Sequence, residues 1–166
     1  RELYDCAAAA AAACGHRDAE ARMRGQLART AIDRGDFEEA TSAMRKAQQL
    51  AERTENPNLV ASLTEWSGVL HVAKGDYGEG VAAFRTARAA FEALGNTRGV
   101  ALQDYHDGRT LILAGSPEAA IVRLVSAAKL VDAAQDQLTY GRVQLRLGQS
   151  FSAAGDLSSA AAAVSG

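Results

Sequence analysis

Asp104 and Asp107 stand one helical turn apart in the stretch QDYHDGRT, and with His71 they are the residues of this sequence suited to acid–base chemistry. Carboxylates and an imidazole are common carriers of proton transfer. Asp107 occupies a place where other segments of the chain carry Leu27 and Leu147, so it falls on a packing face. A carboxylate there needs a partner. His71 and Arg109 are the expected partners, and an acid–base site and a paired structural acid are the two readings. Trp66 is read either as a filler between helices or as a platform for a ligand.

Little else in the chain carries chemistry. It has no glycine-rich phosphate loop ending in Lys-Ser/Thr, no nucleophile elbow and no His-Glu-x-x-His. His16, His71 and His106 are too scattered for a preassembled metal site, so neither metal nor cofactor is expected. Cys6 and Cys14 lie ~12 Å apart along a helix at ~1.5 Å per residue, too far to pair with each other. No disulfide framework is visible, which makes a reducing cytoplasmic compartment the expected location.

The elements that must position these residues are announced by punctuation. Glycines at 35, 75, 115 and 155 recur every forty residues, in Arg34-Gly35-Asp36, Lys74-Gly75-Asp76, Ala114-Gly115-Ser116 and Ala154-Gly155-Asp156. A fixed period of this size marks a stacked-repeat architecture. Glycine closes a helix by adopting the left-handed conformation, and the Asp or Ser behind it caps the next helix. Glu39 and Glu79 complete boxes with Asp36 and Asp76, and Pro117 suits a first helical position. First helices are therefore expected at about 19–34, 58–74, 98–114 and 138–154, and second helices at about 37–54, 77–94 and 117–134. "TENPNL", "LGNTRG" and "AQDQLT" read as polar turns between hairpins.

Composition agrees with helices. The chain is 48% hydrophobic but only 5% aromatic, alanine supplies most of the apolar share, and a sheet would want more β-branched and aromatic residues. A net charge of −2 with mixed signs gives no basic field, so direct nucleic-acid binding is not expected. No apolar run approaches the ~20 residues of a membrane span, and the start lacks the basic and Leu-rich regions of a signal peptide.

Small residues precede each junction glycine by seven (Ala28, Gly68, Gly108, Gly148) and follow it by five (Ala40, Gly80, Ala120, Ala160). Four residues later come Met44, Phe84, Leu124 and Val164, large enough to fill the gap towards the next hairpin. This pattern, with Leu147-Gly148-Gln149-Ser150-Phe151 as its closest local match, resembles the tetratricopeptide repeat. HEAT and armadillo repeats have similar periods but lack this placement of small residues. The resemblance implies an all-α, right-handed superhelix of antiparallel helix hairpins. Its repeats would cover about 1–15 (second helix only), 19–55, 58–95, 98–135 and 138–166 (partial) of one solenoid fragment. The terminal helices of such a fragment would offer apolar faces for self-association.

The forty-residue variety, with "ALGNTRGVA" and "GRTLILAGSPEAA", resembles the arrays of bacterial signal-transduction ATPases and antibiotic-regulatory-protein-type transcription regulators. That implies a non-catalytic interaction and sensor module of a cytoplasmic regulator, with a protein or peptide as partner. First helices would line a concave groove. Helical spacing places Arg22, Arg29, Glu65, Val69, Tyr105, Arg109, Arg142 and Gln149 there, with Gly25 in the same stripe as Arg22 and Arg29. These cations among apolar side chains suit a segment bearing acidic and hydrophobic residues. A receptor for a small ligand or signalling peptide is the alternative.

Overall fold

The computed structural model describes residues 2–131, 136–156, 159–160 and 162–163. Among them the chain is helical throughout, with eight helices packed as sequential hairpins: α1 (Glu2–Ala13), α2 (Arg17–Asp33), α3 (Phe37–Ala51), α4 (Pro57–Lys74), α5 (Tyr77–Ala93), α6 (Thr97–Leu113), α7 (Pro117–Leu130) and α8 (Gln137–Ala153). Two compact units result, Arg1–Ala83 and Phe84–Gly166.

The junctions close as their chemistry requires. Gly75 takes φ 88°, its N–H donates to the Val72 carbonyl at 3.1 Å and the Asp76 N–H reaches back to the His71 carbonyl at 2.9 Å. This double bond pattern satisfies carbonyls that the helix end would otherwise leave open, and only glycine adopts the required φ without a Cβ clash. Asp36 and Asp156 then accept from the Glu39 and Ser159 N–H groups at 3.0 Å. Ser116 makes no such bond, so α7 starts on Pro117 without a side-chain cap.

First helices begin one or two residues earlier than the sequence pattern places them. Asn56, Asn96 and Asp136, inside the turns, cap α4, α6 and α8 through the N–H groups of Leu59, Gly99 and Thr139 at 3.1, 2.9 and 3.0 Å. The turns read as polar thus supply the caps themselves, through Asn or Asp side chains in one repeat column. The third second helix stops at Leu130, with Val131 in extended backbone, short of the expected end at 134, and most of the stretch after Asp156 lies outside the described residues.

In the first unit, alanines form the seam between α2 and α3: Ala28, Ala31, Ala40 and Ala47 are fully buried, with Met44, Leu59 and Leu63 around them. In the second, Leu124 of α7 is fully buried against Tyr105 of α6 and Val143 and Leu147 of α8. A Cβ on Gly108 would lie 2.7 Å from Leu124 and 3.3 Å from the Ala120 carbonyl, which shows how closely α6 and α7 approach. Within each unit the packed helices are neighbours or next neighbours in sequence.

Candidate functional site

The exposed side of the first unit's first helices is built around one aromatic ring. Gly25 of α2 is buried, and a Cβ there would sit 2.5 Å from the Trp66 ring and 2.7 Å from Leu63. The missing side chain is thus what lets the Trp66 indole of α4 lie down on α2. Gly25 belongs to this contact and does not form an open groove floor. Trp66 stays half-buried, and the Arg29 guanidinium stands 5.5 Å from its ring centroid, within cation–π range. Arg22, two turns before Arg29 on α2, is exposed, while Glu65 and Val69 on α4 are half-buried. Trp66 acts as the filler between α2 and α4, and Arg29 stands over its ring.

In the second unit the sequence-derived residues are less alike. Tyr105 is 8% exposed and packs with Leu124 and Val143, so it serves the core. Arg109 is half-buried, and Arg142 and Gln149 of α8 are exposed, the Gln149 amide oxygen accepting from Arg146 at 2.7 Å. A cavity of about 220 Å³ lies where the ends of α6, α7 and α8 meet, lined by Thr97, Ala101, Leu130 and Thr139 and by the Arg98–Asp136 pair. That is smaller than the ~300–1,000 Å³ of a typical ligand pocket.

Asp104 and Asp107 find partners other than those expected. Both are buried, at 1% and 2% exposure, and neither pairs with Arg109. Arg88 of α5 donates Nε to Asp104 Oδ1 at 2.9 Å, and Ser126 of α7 donates its hydroxyl to Asp104 Oδ2 at 2.7 Å. Asp107 Oδ2 receives Arg85 Nε of α5 at 3.0 Å and Arg123 Nε of α7 at 3.2 Å. Arg123 Nη1 also stands 3.9 Å from Asp104, so one guanidinium spans both acids. Burial works against the Arg88 charge, but the hydrogen bond and charge of Asp104, with Glu92 adding, outweigh it and hold the proton more firmly than usual.

These ion pairs occupy the position that an acid–base site would need open. His71 lies away from them, its buried Nδ1 3.6 Å from Asp76 Oδ2 and without a hydrogen bond to any described residue, and His106 stacks on Phe84 at 5.1 Å. Among the described residues no group of three metal-ligating side chains converges, and no helix is long and apolar enough to cross a membrane. The sequence did hold a signal for two of the three arginine partners, Arg88 and Arg123, but not for Arg85, whose column also holds Arg45. In the forty-residue register Arg123 falls on Ala43 and Ala83, and Arg88 on Gln48 and Ala128, so the charges depart from their columns together.

With this geometry in place, comparison with known proteins is informative. Residues 21–54 match the model of the tetratricopeptide repeat family, whose members generally mediate protein–protein interactions and are typically non-catalytic. Among solved structures the chain is similar to BtubC (BKLC) from P. vanneervenii, with a TM-score of 0.67 at 16% sequence identity, covering 99% of this chain and 86% of that one. At that identity the likeness is one of fold. A comparison with curated protein sequences returns no match.

Proposed function

We propose that this chain is a non-catalytic protein-interaction module that binds a peptide segment or partner domain on the exposed side of its first helices. The observation that carries the reading is the Arg29 guanidinium set 5.5 Å above a Trp66 ring that is itself seated on Gly25. A cation on a rigid aromatic support presents charge and apolar area together at low conformational cost, the combination enriched at interaction hot spots. Arg22 extends the charge along α2, and Glu65 and Val69 flank it on α4. In the second unit Arg109, Arg142 and Gln149 are the corresponding contact residues.

The test is capture from a native extract by immobilised chain, wild type beside Arg22→Glu/Arg29→Glu. Proteins retained by the wild type and lost from the charge-reversed chain, with unchanged helical circular dichroism, support the reading. An identical set retained by both would remove it.

The finer reading places this module in a cytoplasmic bacterial regulator, holding or releasing other domains of its parent. Its support is the resemblance of the forty-residue units to regulator arrays. Co-purification of the chain with a nucleotide-binding or DNA-binding domain of the same parent tests it, and retention of unrelated proteins alone would count against it.

A further inference from the structure

Burying two carboxylates beneath three arginines is not required for stacking these helices. The columns that hold Asp107 and Arg123 in one repeat hold Leu27 and Ala43 in another, and an apolar seam of that kind is as stable as a buried ion pair or more so. The chain carries the acids and arginines together only around α6, across α5 and α7.

What the aspartates accomplish is orientation. Arg85, Arg88 and Arg123 all turn the Nε edge of the guanidinium inward to a buried carboxylate. A guanidinium has five N–H donors in a rigid plane, so fixing Nε fixes the direction of the rest: Arg123 keeps Nη1 3.9 Å from Asp104, whereas Arg88 turns Nη1 outward. The side chains of Arg85, Arg123 and Arg88 are 52%, 34% and 27% exposed, so each of the three also borders solvent. Arg88 Nη1 already holds a carboxylate there, that of Glu92 at 2.9 Å, whose own side chain is 64% exposed.

We propose that Arg85, Arg88 and Arg123 form a second interaction surface, distinct from the Trp66 face, that docks an acidic helical segment of a partner protein. Three guanidiniums against two buried aspartates leave one positive charge, which Glu92 balances from solvent until a partner carboxylate replaces it. Arg85 and Arg88 lie one turn apart on α5, matching carboxylates at i and i+3 or i+4 of the incoming helix. Held arginines lose little further freedom on binding, and paired guanidinium–carboxylate bonds are among the stronger contacts available.

The probe is a fluorescein-labelled helical peptide with glutamates at i, i+3 and i+4, read by anisotropy beside a glutamine version. The decisive variant is Arg85→Gln/Arg123→Gln/Asp107→Leu, which removes two donors without leaving their buried acid unpaired. The surface predicts saturable binding of the glutamate peptide, at least tenfold weaker binding of the glutamine peptide, and a tenfold or greater loss in the triple variant at an unchanged thermal midpoint. If the variant melts early, Arg85→Gln alone, at the most exposed of the three, should still weaken binding at least threefold. Equal binding of both peptides, unaltered binding by the variants, or displacement of the peptide by millimolar inorganic phosphate would overturn the proposal, the last by showing a site for a bare phosphate.

Discussion

At the scale of single residues, the charged cluster around α6 shows what a side chain is for only when its neighbours are known. The sequence announces that Asp107 is out of place on a packing face, with Asp104 one turn earlier, and the structure buries both. Local spacing does not name their partners, because it speaks for one helix at a time and the arginines lie on α5 and α7; only the register across repeats singles out Arg88 and Arg123. Two measurements follow. Arg123→Ala removes the guanidinium that both aspartates share and should lower unfolding free energy by about 2 kcal/mol, the cost of leaving buried Asp107 with Arg85 as its one cation, moderated by solvent near Arg123. Urea denaturation checks it.

Asp136 gives the second residue-scale prediction. The Thr139 backbone N–H, then the Thr139 hydroxyl, hold its carboxyl below the usual range against some burial, and Arg98 adds to this. A carboxyl with a depressed folded pKa contributes stability that is fully present above its unfolded value of about 4 and disappears as pH falls through the folded value. Thermal midpoints should therefore drop below about pH 4, and Asp136→Asn, which can still cap α8, should make that drop shallower.

At the scale of elements, the fold was written in glycines and caps. Gly35, Gly75, Gly115 and Gly155 all take positive φ where the forty-residue period put the helix ends, and Gly108 is packed against Leu124 as the small-residue seam requires. The less legible glycines were Gly25 and Gly99, each lying under an aromatic ring, Trp66 and Phe91 respectively. Their signal is a pairing across helices, invisible within either one. Gly108→Leu should cost about 3 kcal/mol, because the added side chain meets both Leu124 and the Ala120 carbonyl and only backbone movement can accommodate it. Asn96→Ala should cost about 1 kcal/mol by leaving the Gly99 N–H without its cap. Chemical denaturation of both variants would separate overpacking from capping.

At the scale of the whole molecule, each unit is held by contacts between helices adjacent or nearly adjacent in sequence. Such local wiring needs little loop closure before it is rewarded, so the main phase of refolding from urea should be over within milliseconds in stopped-flow experiments. A main phase of seconds would speak against it. The fold class was legible at this scale because a repeat states its pattern several times over. The candidate site was less so: of the residues that helical spacing offered, Arg22, Arg29, Arg142 and Gln149 are exposed, whereas Tyr105 went into the core because α7 and α8 close over that part of α6.

Trp66 is the only tryptophan in the chain and stands in the face proposed to bind a partner, so its emission reports on that face alone. Titrating a captured partner segment that lacks tryptophan should shift and saturate Trp66 fluorescence, with Arg29→Glu weakening the midpoint at least tenfold. Binding that calorimetry detects while Trp66 emission stays constant would contradict the account.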